Sequence, residues 1–166
     1  TRFILYQTAG TLLSLPAWSW LARRYGKKLI YMAAGYFYAF IALTWLFTLT
    51  GELSWITNTR MFMVGVAASG LLVMGFSLLP DTMEYNTNSS GVSQEGTLAA
   101  IYSMVEKGTA AIGPLLAGLM LEASGFISAG GGMLPPTQPQ SAIIAILLLA
   151  SVIPAICNIA GSLLLI

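Results

Sequence analysis

The chain has no histidine, a single cysteine and very few charged residues. With only Cys157 as a thiol, a disulfide framework, zinc sites and histidine-based catalysis are excluded within the chain. Charged residues make up 8% of the sequence, whereas they make up about a quarter of a typical soluble domain. The few basic residues are clustered and the net charge is only +1, which disfavours nucleic-acid binding.

Apolar residues are abundant instead. They account for 57% of the 166 residues, and the mean hydropathy is +0.80. Because a bilayer span needs about 20 mainly apolar residues, five stretches qualify as transmembrane helices. They cover approximately 3–22, 29–50, 60–80, 97–122 and 141–166. We therefore predict an all-α membrane protein embedded in a lipid bilayer, with kinks at Pro16 and Pro154.

One short turn, residues 23–28, holds four of the seven basic residues. Basic short loops stay on the cytoplasmic side of a membrane, so we place this turn inside. Alternation then makes 81–96 a cytoplasmic loop and 123–140 a flexible external loop, the latter rich in glycine and proline. Hydrophobic sequence starts almost at the first residue, so we expect the chain to be a portion of a longer protein.

Two carboxylates, Asp81 and Glu84, follow Pro80 at the end of the third stretch. If the helix continues past the proline, they share one face and could recruit a cation or a basic partner. Alternatively, Asp81 caps a short cytoplasmic helix, with Glu84 at the third helical position. The two roles are compatible.

Glu106 and Lys107 lie near the middle of the fourth stretch. This position is too deep for both to reach the headgroups, so each needs a cavity, another helix or a ligand. They cannot pair with each other, because adjacent residues project about 100° apart on a helix. Tyr102 and Ser103, about one turn earlier, offer hydrogen bonds beside Lys107. A purely structural ion pair is the alternative for both charges.

The third stretch is rich in small residues, including Gly65, Ser69, Gly70 and Gly75. Membrane helix interfaces favour small residues because they let backbones approach closely. We therefore predict close packing for this helix, with a cavity wall as the alternative.

Several motifs together resemble the glycoside-pentoside-hexuronide:cation symporter family of the major facilitator superfamily. They are the basic turn at 23–28, the Asp-Thr-Met-Glu-Tyr segment at 81–85, the Glu-Lys-Gly triplet at 106–108 and Gly125-Phe126. The resemblance implies a twelve-helix bundle, of which this chain would hold the eighth to twelfth helices. The missing amino-terminal half would then be its partner.

The resemblance also implies a function, namely symport of a sugar or glycoside with sodium or a proton by alternating access. Lys107 aligns with a lysine near the sugar and coupling-ion pocket, and Tyr102, Ser103 and Glu106 would join it in binding substrate. The coupling cation would be bound mainly by the missing half, and no other cofactor is implied. The location would be a bacterial inner membrane.

In the same family, acidic residues aligned with Asp81 and Glu84 belong to a cytoplasmic gate. Here they would pair with basic residues of the 23–28 turn, so we also assign Arg23 and Arg24 to gating. Gln94 stands where the family usually has a basic residue.

Two other functions stay open, namely a carrier of lipids or other amphiphiles with the same fold and a non-transporting membrane scaffold. An enzyme is not predicted, because the sequence has no nucleophile-base pair, metal cluster or phosphate-binding glycine loop.

Overall fold

The computed structural model describes residues 2–48, 52–128 and 137–165, and all regular structure within these ranges is helical. The helices are α1 (Arg2–Tyr25), α2 (Lys27–Leu43), α3 (Ser54–Ser90), α4 (Glu95–Ala123), α5 (Gln140–Leu147) and α6 (Ile153–Leu163). A 3-10 turn, Thr44–Phe47, extends α2, and a π-helical turn, Leu148–Val152, joins α5 to α6. The predicted all-α fold is confirmed.

Within the described ranges, four segments are long and apolar enough to cross a membrane. They are Lys27–Phe47, Ser54–Ser90, Glu95–Ala123 and Gln140–Leu163. The predicted first stretch is helical as α1 but is not among these four. The chain therefore forms an integral membrane bundle in which α1 is the most polar of the long helices.

Two glycines allow α1 and α3 to cross in direct backbone contact. A Cβ atom added to Gly10 would collide with the carbonyl oxygen of Phe62, and one added to Gly65 would collide with the carbonyl oxygen of Gln7. The collisions are reciprocal, so neither helix can accept a side chain at the crossing. The close packing predicted for the third stretch is confirmed at this point.

The polar side chains of α1 face this same contact. The hydroxyl groups of Ser14 and Ser69 lie 2.6 Å apart, and both residues are buried. Thr11 donates a hydrogen bond to the Gly65 carbonyl oxygen at 3.2 Å, and the Trp18 ring nitrogen donates one to the Val66 carbonyl oxygen at 2.8 Å. Because α3 satisfies these groups, α1 can carry them without exposing them to lipid.

The second helix packs between α3 and α6, where small side chains again dominate. Ala39, Ala42 and Ala155 form one buried cluster, and Ile30 packs with Met74 in another. The predicted kink at Pro154 coincides with the π-helical turn, which ends two residues before it. Since proline cannot donate a backbone hydrogen bond, an inserted π turn relieves the register conflict.

The third helix continues through Pro80 and ends only at Ser90, with Gly91 in the left-handed conformation at φ 68°. Residues 81–96, expected as a loop, are therefore mostly helical, and the connection to α4 is confined to 91–94. Asp81 lies inside a helix and does not act as an N-cap. At 37 residues, α3 is about 55 Å long and exceeds the roughly 30 Å hydrocarbon core.

The expected loop at 123–140 is only partly described, and residues 129–136 lie outside the described residues. Its two described ends are held together. The Gln138 side chain exchanges hydrogen bonds with the backbone of Ile127 at 2.8 and 3.0 Å, and Ser141 donates to the Ser124 carbonyl oxygen at 2.7 Å. These bonds bring the start of α5 back to the end of α4.

Candidate functional site

The basic turn between α1 and α2 contacts α3 at Asp81. Gly26 adopts φ 90°, a left-handed conformation that lets the chain reverse within one residue. Lys27, the first residue of α2, then places its Nζ atom 2.8 and 2.7 Å from the two carboxylate oxygens of Asp81. The side chains are 39% and 49% exposed, and such exposed pairs contribute at most about 1 kcal/mol.

The other predicted gating residues lie nearby but do not pair with Asp81. Arg23 lines a cavity of about 200 Å³ between α1 and α3, with Lys27 on the same wall. The Arg24 guanidinium lies 5.8 Å from the ring centres of both Trp20 and Tyr25. Glu84 is exposed and forms no ion pair within the described ranges. Lys27, rather than either arginine, is therefore the basic partner of Asp81.

Two of the predicted substrate-binding residues line one cavity. Tyr102 and Glu106, one turn apart on α4, face a space of about 200 Å³ between α4, α3 and α2. Its remaining walls are Tyr31, Leu71, Leu72, Gly75 and Phe76. Two tyrosines and one glutamate thus line the same otherwise apolar cavity. This arrangement can hold a polar ligand or a proton donor.

Lys107 and Ser103 lie on the neighbouring side of α4. Lys107 is exposed, and in the described part of the chain its ammonium group makes no hydrogen bond or ion pair. None of the described residues of α4 is buried, although this helix is apolar enough to span a membrane. A lysine at the centre of a lipid-facing helix costs about 2.5–3.5 kcal/mol. Lys107 therefore requires a surface or cavity beyond the packed helices described here.

A second ion pair lies at the opposite end of α3 and was not predicted. Arg60 donates to Glu52 at 2.8 Å and to the Thr48 hydroxyl at 3.0 Å, and its guanidinium lies 5.9 Å from the Trp45 ring centre. The Arg60 and Glu52 side chains are only 15% and 12% exposed. Opposite charges eight residues apart at the start of an apolar run were the available sequence signal. The contacts of Arg60 with Thr48 and Trp45 tie the segment that follows α2 to the start of α3.

Within residues 2–48, 52–128 and 137–165, no group of three or more histidine, cysteine, aspartate or glutamate residues is placed to hold a metal ion. A metal centre is therefore not among the sites that these ranges offer.

A family model described as "MFS/sugar transport protein" matches residues 1–166 of the chain. An uncharacterized symporter of Synechocystis sp. is 30% identical over 150 residues. The aligned region is 90% of this chain but 27% of that relative, so the chain spans little more than a quarter of the relative's length.

Proposed function

Because the chain belongs to the MFS/sugar transport protein family, we propose that it forms part of a transporter that moves a sugar or glycoside together with sodium or a proton. The finer placement that we propose is the glycoside-pentoside-hexuronide:cation symporter branch, resembling the melibiose permease. In this proposal the five helical spans belong to the carboxyl-terminal half of a twelve-helix protein. Alternating access then needs the other half as a partner.

The observation that carries the proposal is the isolated charge of Lys107 on α4. An ammonium group this close to the middle of an apolar helix is stable only beside water, another protein surface or a ligand. We propose that it faces the substrate path between the two halves. Ser103 lies on the same side of α4 as Lys107. Tyr102 and Glu106, which line the adjoining cavity between α4, α3 and α2, offer further hydrogen-bonding groups.

The Lys27–Asp81 pair is the proposed cytoplasmic gate element. A gate must open and close in each transport cycle, so its contacts have to be weak. A pair of half-exposed side chains contributes at most about 1 kcal/mol and can be broken and remade easily. In the proposed orientation this end of α3 and the 23–28 turn are cytoplasmic, and the membrane is the bacterial inner membrane.

The test is uptake of radiolabelled sugars by cells that express the protein at its natural length. We expect Lys107→Ala to abolish accumulation and to leave the amount of protein in the membrane unchanged. Lys107→Arg keeps the positive charge but replaces the ammonium group with a planar guanidinium, so we expect a partial loss of sugar accumulation. Thr109→Ala is the matched control on α4, because among the described residues the Thr109 hydroxyl bonds only to carbonyl oxygens of its own helix.

Full sugar accumulation by Lys107→Ala would contradict the pocket role. Accumulation of a labelled phospholipid, with no uptake of any sugar, would favour the amphiphile carrier. Recovery of function on neutralising Lys107 together with one acidic residue would show that the charge is structural, as expected for a scaffold.

A further inference from the structure

Two adjoining cavities lie between α1 and α3 at the end away from the Lys27–Asp81 pair. The first has a volume of about 300 Å³, and its walls are Tyr6, Trp55, Asn58, Thr59 and Phe62. The second, of about 420 Å³, is lined by Leu5, Tyr6, Ala9 and Asn58. They share the walls formed by Tyr6 and Asn58, and we refer to the two together as the aromatic cavity. Their volumes are in the range of small-molecule sites.

The walls of the aromatic cavity combine aromatic side chains with an amide and a hydroxyl group. Three aromatic residues, of which Trp55 is 63% and Tyr6 43% exposed, line the same space as Asn58. Asn58 is half-buried and makes no hydrogen bond to protein atoms in the described ranges. The Thr59 hydroxyl donates to the Trp55 carbonyl oxygen at 2.9 Å, which leaves its own lone pairs free to accept. The cavity therefore presents flat apolar surfaces beside unused donors and acceptors.

We propose that the aromatic cavity is a second sugar-binding subsite, which receives a pyranose ring before the ring reaches the path beside Lys107. A pyranose presents a face of C–H bonds bordered by hydroxyl groups. The face packs on an aromatic ring, and the hydroxyls need amide and hydroxyl partners in the same plane. Trp55 or Tyr6 supplies the ring, and Asn58 supplies both a donor and an acceptor.

This inference rests on the proposed transport of sugars and adds a location to it. The cavity lies about 30 Å along α1 from Lys27 at the rise of a helix, so it is distinct from the gate. In the proposed orientation it opens on the outer side, where a substrate first meets the protein.

The main alternative is that these aromatic residues only anchor the helices at the membrane interface, where tryptophan and tyrosine are enriched. Phe47 represents that role, since it is 75% exposed at the same end of the molecule and does not line the aromatic cavity. An anchoring role does not account for an amide that faces the same space as the rings. Phe47 therefore provides the matched control.

The experiment measures uptake of radiolabelled methyl hexopyranosides of the gluco, galacto and manno series by the protein at its natural length. For the sugar that is accumulated, we expect Trp55→Ala and Asn58→Leu each to raise KM about tenfold with little change in maximal rate. Trp55→Phe retains a ring and should recover most of the affinity. Phe47→Ala should leave KM unchanged.

A second measurement does not depend on transport. Thr59→Cys in a Cys157→Ser background is labelled from outside with a membrane-impermeant maleimide, and we expect the accumulated glycoside to slow labelling. Unchanged KM in both variants together with unprotected labelling would overturn the subsite while leaving sugar transport intact. Protection by a lysophospholipid but not by any glycoside would also overturn it.

The two proposals fail separately. Protection without accumulation would support the subsite and contradict sugar transport. If the wild-type protein neither accumulates a methyl hexopyranoside nor is protected by one, both proposals fail for this class of sugar.

Discussion

Replacing Gly65 with alanine tests the close crossing of α1 and α3. The added Cβ would meet the Gln7 carbonyl oxygen, a backbone atom that can move only if the whole helix moves. Overpacking of this kind costs about 1–3 kcal/mol. Alanine also stabilises the helix itself by about 0.5–1 kcal/mol relative to glycine, which is unfavourable inside a helix. We therefore expect Gly65→Ala to destabilise the bundle by a net amount of up to about 2.5 kcal/mol.

Gly75→Ala is the matched control on the same helix. Among the described residues, its added Cβ would meet only the Tyr31 ring, at 3.8 Å, an ordinary van der Waals distance. The helix-propensity gain is common to both variants, so their difference isolates the cost of the crossing, again about 1–3 kcal/mol. Gly10→Ala, on the opposite side of the crossing, should behave like Gly65→Ala.

The assay is unfolding of the purified protein in mixed micelles, in which the share of denaturing detergent is raised and loss of helical circular dichroism is followed. We expect the midpoint for Gly65→Ala to fall below wild type and that for Gly75→Ala to equal or exceed it. Equal stability of the two variants would refute the backbone contact.

Two further predictions concern the ion pairs. Lys27→Ala and Asp81→Asn should each change the unfolding free energy by less than about 1 kcal/mol, yet alter the transport rate. The exchanged pair, Lys27→Asp with Asp81→Lys, should recover that rate. Failure to recover it would argue against a direct contact. Arg60→Ala should lower the free energy of unfolding by about 1.5–3 kcal/mol, because it leaves the largely buried Glu52 without its charged partner. If the pair were solvated, the same micelle assay would show no loss of stability.

The helices could be predicted from the sequence because each apolar run has about the length of a bilayer span. The described residues of these five runs are almost entirely helical. The position at which α3 ends could not be predicted from the sequence. Hydropathy measures how well a segment tolerates lipid, whereas the polar residues 81–90 form a helix beyond the apolar run. Pro80 therefore does not end α3, although proline usually marks a boundary.

The candidate charges could be identified from sequence because each is costly in lipid, but their partners could not. Which basic residue of the 23–28 turn pairs with Asp81 depends on the direction in which the chain leaves Gly26. The positive φ of Gly26 starts α2 so that Lys27 reaches the Asp81 carboxylate, whereas Arg23 lines the neighbouring cavity against α3. The aromatic cavity was missed for a related reason. Its rings come from two helices distant in sequence, and singly each resembles an interfacial anchor.

The most direct test of the account is the environment of position 107. A Lys107→Cys variant of the protein at its natural length, treated with a charged methanethiosulfonate reagent, should react at a rate typical of a water-filled path, and a transported sugar should slow the reaction. Leu115→Cys, on the same helix and 61% exposed in the packed bundle, provides a comparison site without a native charge. Lack of reaction at position 107, with quenching of an attached fluorophore by lipid-borne quenchers, would contradict the account.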